Sequence, residues 1–273
     1  MPELPEVETT LRGLQPYLEY QTIEQVIVRE SRLRWPIPAN LSQILTHQTV
    51  QQLQRRGKYL LMRVPTGTVI LHLGMSGRLR LLRAATPAAK HDHVDIVMAN
   101  HMVCRFTDPR RFGCLLWTDT APIEHPLLKS LGPEPLNAEF SAGYLYQLSR
   151  NRKLTIKQFI MNSQVVVGVG NIYANEALFV AQIAPFCSAH QVSLDGYERL
   201  VIAIKDVLQE AIACGGTTLR DFLTADGHFG NFKPRLMVYG RTGKACVRCE
   251  HPLSHQWINR RISVYCPQCQ PEP

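Results

Sequence analysis

The chain has 273 residues, 45% hydrophobic and 19% charged, a profile that supports packed cores and excludes a highly charged, disordered polymer. No apolar run reaches the ~18–20 residues a membrane span needs, and the opening MPELPEVETTLRG lacks the basic-then-apolar layout of a secretory leader. Thirty Lys and Arg against 22 Asp and Glu leave a formal charge of +8, which suits a polyanionic partner, nucleic acid first.

In chain order, a helix is predicted to start near Pro5, because proline fits a first helical turn, and Val7, Leu11, Leu14 and Leu18 fall on one face. From about Thr22 to Thr118, short runs such as TIEQVIVRE, KYLLMRV, GTVILHLG, HVDIVMA and MVCRFTD alternate with the turn-like PTG, GMSG and ANH. Many short strands with tight turns predict an antiparallel sandwich instead of parallel βαβ units. LGPEPL, Leu131–Leu136, reads as a rigid hinge between domains. Beyond it a short helix is expected over Lys153–Asn162. A glycine turn at Gly168 and Gly170 and a second helix follow. The stripe of Tyr197, Leu200, Val201, Ile204, Leu208 and Ala211 marks a long helix stopped by Gly215-Gly216. The fold class is α+β, with a β-rich first half, a helical second half and a small metal module at the end.

That module is read from cysteine spacing. Cys246, Cys249, Cys266 and Cys269 form C-x2-C-x16-C-x2-C, two knuckles able to deliver four thiolates to one tetrahedral Zn²⁺. A thioredoxin-like redox role needs a single CxxC in a βαβ setting, which is missing. Cys104, Cys114, Cys187 and Cys214 lie singly among apolar residues and read as buried hydrophobes. Between the knuckles, Arg260 and Arg261 accompany Trp257 and Tyr265, suited either to reaching phosphates or to scaffolding.

Three further features bear on chemistry. The GVGN turn, Gly168 to Asn171, is either an ordinary glycine turn or an anion cradle at a helix N-terminus. TDPRRFG, Thr107–Gly113, and LGMSG, Leu73–Gly77, offer arginine and apolar tips that either fold back on the sandwich or wedge a duplex open. Pro2 follows a methionine that a small second residue allows to be removed. Its freed amine, with a reference pKa of ~7.7–8.0, is far less protonated at neutral pH than a lysine. Being secondary, it condenses with a sugar aldehyde to an iminium that keeps its positive charge as an electron sink. Glu3 and Glu6 set carboxylates beside it for acid–base work.

Together these residues resemble the bacterial formamidopyrimidine-DNA glycosylases, also called 8-oxoguanine DNA glycosylase/AP lyases. The match runs through MPELPEVET, RRGKYL, HLGMSG, KHDHVD, TDPRRFG, LGPEP, GVGNIYANE, GGTTLRDF, VYGR and the four cysteines, in order along nearly the whole chain. The resemblance implies a catalytic β-sandwich over 1–131, a helical domain with a helix–two-turns–helix over 132–236 and a β-hairpin zinc finger over 237–271. It implies removal of oxidised purines from double-stranded DNA through a Schiff base on Pro2, then β,δ-elimination, by a cytoplasmic monomer with one structural Zn²⁺ and no membrane partner. The implied roles are Glu3 as acid/base on the sugar, Lys58 as β-elimination donor and Arg261 as δ-elimination donor and phosphate ligand. His72, His91, Arg110, Arg152 and Asn171 match DNA-contacting positions. Met75, Arg110 and Phe112 match the group that fills the flipped base's place, and Gly216–Gly230 matches the loop over the everted base. Asn162, Lys233-Pro234 and Ile262 depart from the family pattern. An endonuclease VIII-like relative for oxidised pyrimidines and a non-reacting zinc-ribbon DNA binder are the alternatives.

Overall fold

The computed structural model describes residues 2–83, 86–216 and 235–271. Met1, most of the expected lesion loop and Lys233-Pro234 lie outside these residues. The chain divides into two units. One holds the described residues up to Ser130 together with 214–216, and the other holds Leu131–Ala213 and 235–271.

The first unit begins with α1 (Leu4–Leu18), which buries Val7, Leu11, Leu14 and Leu18, the face predicted from spacing, and Leu4 as well. Next come β1 (Ile23–Val28), the short α2 (Leu41–Leu45), β2 (Gln52–Arg56), β3 (Tyr59–Val64), β4 (Gly67–His72) and β5 (Arg78–Arg83). β6 (Asp92–Met98), β7 (Met102–Thr107), β8 (Cys114–Thr118) and the single-turn α3 (Pro126–Lys129) complete it. The strands form two four-stranded antiparallel sheets, ordered β1-β6-β7-β5 and β2-β3-β4-β8. Their inner faces and α1 share one apolar core that includes Leu14, Leu60, Val69, Leu79, Ile96 and Phe106. The antiparallel sandwich expected from the turn spacing is present.

Topology gathers several loops at one end. β4 belongs to one sheet and β5 to the other, so Leu73–Gly77 crosses between sheets, and the β7–β8 connection Asp108–Gly113 crosses back. The β2–β3 hairpin turns at Gly57-Lys58, whose flanking Tyr59 is registered with His72 at the end of β4. Gly57 has φ +58, the left-handed conformation that a two-residue turn of this kind asks of its first residue.

In the second unit, α4 (Ala142–Ser149) and α5 (Ile156–Ile160) precede α6 (Asn171–Val180) and the long α7 (Leu194–Ala213). The expected helix over Lys153–Asn162 is shorter than predicted. Thr155 ends the extended approach by capping, its Oγ1 accepting from the Gln158 N–H at 3.3 Å. The stripe from Tyr197 to Ala211 is buried along α7. LGPEPL is neither helix nor strand, as expected. The hairpin of β9 (Ser254–Ile258) and β10 (Arg261–Tyr265) closes the chain, turning through Asn259 and Arg260, both at positive φ.

Candidate active site and nucleic-acid interface

At the chain's start, Pro2 and the carboxylate-bearing Glu3 and Glu6 are all buried. Glu3 caps α1 and shares a capping box with Glu6. The Glu3 N–H donates to Glu6 Oε2 at 2.9 Å, so the first turn fixes both carboxyls beside Pro2. Gly216 lies against Glu6, and a Cβ there would come within 3.1 Å of Glu6 Oε1. α1 is tied to the sheet by Glu8, which accepts from Arg55 Nε and Arg12 Nε at 2.8 Å each. Burial opposes ionisation of Glu8, but these two guanidiniums hold its carboxyl below the usual range. Arg55 also donates through Nη1 to the Gly57 carbonyl at 3.3 Å, in the turn that carries Lys58, so the N-terminus and Lys58 are referenced to the same end of the sandwich.

His72 ends β4 with its ring 4.8 Å from that of Tyr59. Its Nδ1 accepts the Gly74 N–H at 2.9 Å, which requires a bare nitrogen. Burial, then the positive charges of Lys58 and Arg34, press its pKa down to about 4. His72 is therefore neutral at physiological pH and turned toward its own loop.

The two crossing loops carry the expected tips. Met75 is 41% exposed and Phe112 44%, so neither folds back onto the sandwich. The Arg110 guanidinium lies 4.7 Å over the Phe112 ring. His91 sits just before β6, where an ionic cluster on the outer face of the sheet holds the approach. Arg105, 3% exposed, faces Asp95 with two bonds of 2.7 and 2.8 Å and reaches Asp92 at 3.3 Å. It also donates to the carbonyls of Thr86 and Pro87 at 2.8 and 2.9 Å. Burial works against both aspartates ionising. The Thr107 bond to Asp92 and the Arg105 bonds to Asp95 outweigh it, and both carboxyls titrate below their ordinary value.

In the second unit, Gly168 at φ +83 and Gly170 lead into α6. Asn171 opens this helix, and its buried Oδ1 has no hydrogen-bond partner among the described residues, an orphan that points to a ligand group or solvent. Arg152 is exposed just after α4. Asn162, where the family pattern departs, accepts from the Gln164 N–H through Oδ1 at 3.0 Å. That turn asks only for an acceptor, which an amide supplies. Arg261 begins β10, exposed, beside a hollow of about 320 Å³ lined also by Lys157, Gln158, Asn162 and Asn259. The lining contains cations and amides and no carboxylate.

Sequence reasoning missed what holds this hairpin. Lys157, 1% exposed on α5, donates to Ile262 O at 3.0 Å and Ser263 Oγ at 2.8 Å. Asn175 accepts from the Val264 N–H at 2.8 Å. Glu176, wholly buried on α6, accepts the N–H groups of Met237, Val238 and Tyr239 at 2.7 to 3.0 Å. Polar residues inside the otherwise apolar NIYANEAL were the available signal. The sulfurs of Cys246, Cys249, Cys266 and Cys269 lie within 4.8 Å of one another and form a cluster able to hold a metal ion. Of the scattered cysteines, Cys104, Cys114 and Cys187 are buried as expected and Cys214 is half-buried. Burial pushes the Cys104 thiol up to about 12 and Cys114 to about 11, which keeps both inert.

Residues 1–115 match the formamidopyrimidine-DNA glycosylase N-terminal domain, and residues 131–223 match the formamidopyrimidine-DNA glycosylase H2TH domain. This chain belongs to the formamidopyrimidine-DNA glycosylase family. The formamidopyrimidine-DNA glycosylase of Marinobacter nauticus is 53% identical, covering 99% of this chain and 100% of the relative. The crystal structure of the Fpg (MutM) protein of Thermus thermophilus superposes with a TM-score of 0.89 at 35% identity, covering 100% of both chains. Lactococcus lactis Fpg, solved in complex with abasic-site DNA, gives 0.91 at 32% identity, covering 99% of this chain and 100% of that one. No described helix is long and apolar enough to cross a membrane.

Proposed function

We propose that the chain is a bifunctional DNA glycosylase of base excision repair that removes oxidised purines, 8-oxoguanine and formamidopyrimidines, and then cleaves the abasic strand. The observation that carries the reading is the family membership combined with a buried Pro2 held against Glu3 at the head of a capped helix. Once Met1 is removed, the Pro2 nitrogen lone pair bonds to C1′ of the damaged nucleotide. The glycosidic electrons leave with the base, which takes up a proton. Glu3 then protonates the ring oxygen as the C1′–O4′ bond opens and the proline nitrogen becomes an iminium. That cation acidifies C2′, whose proton passes to the carboxylate that Glu3 has become, and the electron pair expels the 3′ phosphate. A second elimination, in which the C4′ proton is lost to water, expels the 5′ phosphate. Lys58 and Arg261 are the donors for the two eliminations.

DNA is held by cations, amides and neutral imidazole. His72, His91, Arg110, Arg152 and Asn171 are the contacts in this reading, with Met75, Arg110 and Phe112 filling the duplex where the base leaves. The carboxylate-free hollow beside Arg261 supports phosphate ligation, whereas the unpartnered Asn171 Oδ1 is an acceptor and would take a hydrogen-bond donor such as water. Residues 1–131, 132–236 and 237–271 act as catalytic domain, helical domain and zinc finger. The metal is one structural Zn²⁺. Four sulfurs at Zn–S of about 2.3 Å stand roughly 3.8 Å apart, and the pairs Cys246–Cys269 at 3.9 Å and Cys249–Cys266 at 3.4 Å fit that tetrahedron. The enzyme works as a monomer on double-stranded DNA in the cytoplasm, with no membrane partner.

Borohydride trapping tests the chemistry. On an abasic or 8-oxoguanine duplex, hydride should reduce the iminium to a stable amine, and peptide mass spectrometry should place the DNA on residue 2. An adduct mapping to a lysine, or none on a duplex that is nonetheless cleaved, would overturn the assignment. A thymine-glycol duplex cut faster than 8-oxoguanine:C would favour the oxidised-pyrimidine reading.

A further inference from the structure

Asp108 is wholly buried, and none of the roles above uses it. Its Oδ1 accepts from Ser76 Oγ at 2.6 Å and from the Arg110 N–H at 3.3 Å, and its Oδ2 accepts from the Gly113 N–H at 2.8 Å. The Asp108 N–H donates to the His91 carbonyl at 3.1 Å, and its own carbonyl meets His93 Nε2 at 2.7 Å. One residue is thus fastened to both ends of its own loop, to the neighbouring crossing loop and to the strand end that carries His91. Ser76 adds a second tie, its Oγ accepting from the Arg110 N–H at 3.2 Å.

The backbone leaves no slack around these bonds. A Cβ at Gly74 would fall 2.4 Å from the Phe112 carbonyl carbon, and Gly74 already sits at φ +64. A Cβ at Gly113 would fall 2.7 Å from the His72 oxygen. The two loops therefore touch main chain to main chain, with the Asp108 carboxylate as the clasp between them.

We propose that Asp108 is the positioning residue of the duplex wedge, fixing Met75, Arg110 and Phe112 as one preassembled piece before DNA arrives. The inference rests on reading those three as the groups that fill the flipped base's place. Preassembly matters because a filler ordered only on contact must be organised while the base is leaving, whereas a fixed one meets the opening stack at once. The clasp works through acceptor geometry and not through charge. An asparagine keeps one acceptor only: with its carbonyl on the Gly113 N–H, its amide faces the Arg110 N–H and leaves the Ser76 hydroxyl without its acceptor.

The test compares two substrates for each full-length variant. An 8-oxoguanine:C duplex needs base extrusion, while a preformed abasic-site duplex has no base to extrude. Asp108→Ala should lower kcat/KM about tenfold or more on the lesion and less than about threefold on the abasic site. Asp108→Asn, which keeps one of the two acceptors, should show the same lesion-selective loss at smaller size. Equal losses on the two substrates, or no loss, would overturn the proposal. Should Asp108→Ala fail to fold in a thermal melt, Ser76→Ala carries the test, with the same selectivity at smaller size. Met75→Ala and Phe112→Ala separate the two levels of the argument. If they show no lesion-selective loss, the wedge reading itself fails; if they do and Asp108→Ala does not, only the clasp fails.

Discussion

Two arginine-bearing tips are built by opposite means. At the sandwich end, Arg110 stands on loops crossing between two sheets that share a large apolar core, and buried hydrogen bonds set its place. At the chain's end, Arg261 stands on an isolated two-stranded hairpin backed by a small core of Phe179, Val238, Leu253 and Val264 with the four cysteines beside it. Two strands alone do not hold together in water. The first tip is a by-product of folding, whereas the second depends on a cluster of thiolates and a few polar anchors.

The largest effect should therefore come from removing the proposed zinc. A chelator, or Cys249→Ser, is expected to lower DNA affinity by a factor of about 100 or more, since structural zinc contributes on the order of 10 kcal/mol to such modules. Thermal melts should still show a cooperative transition for the first unit. Loss of both units together would erase the contrast. Next in size is Arg105→Leu, which leaves Asp92 only Arg80 and Asp95 only Arg29 as cationic partners, at a predicted cost of about 3 kcal/mol. Urea denaturation measures it, and a change below about 1 kcal/mol would make that cluster an accessory.

The pH response also belongs to the sandwich. His72 titrates near 4 when folded against an ordinary 6.5. Because its folded pKa is depressed, the unfolded chain binds the extra proton first. The contribution is whole above about pH 6.5 and shrinks as pH falls toward 4, by roughly 3 kcal/mol in total. Urea midpoints across that range should fall for the wild type and flatten for His72→Gln. The smallest expected change is Thr155→Ala, about 1 kcal/mol from losing the α5 cap, read as a lower midpoint for the second unit.

Much of this was legible from residue order. The strands between Thr22 and Thr118, the α7 stripe and the metal cluster each follow from a local rule of period or spacing. What stayed hidden was long-range and polar. Arg105 sits within MVCRFT, where periodicity marks a strand but cannot say which carboxylates lie across the sheet. Lys157 reads as one more helix residue, yet it holds a hairpin 105 positions later in the chain. Asp108 is visible in TDPRRFG only as a turn residue, because its acceptor role depends on Ser76, 32 positions away. Pro16 lies inside α1, where sequence rules would stop a helix, and packing of Leu14 and Leu18 carries it through.

The sheet-to-sheet crossings have a mechanical consequence. Prying apart stacked base pairs takes a few kcal/mol per step, and the duplex recoils against whatever holds it open. A tip on a compliant loop would yield and return that energy as motion of the protein. With the proposed wedge, the recoil would be delivered to the corner of a braced double-layer slab, and the strain would stay in the nucleic acid.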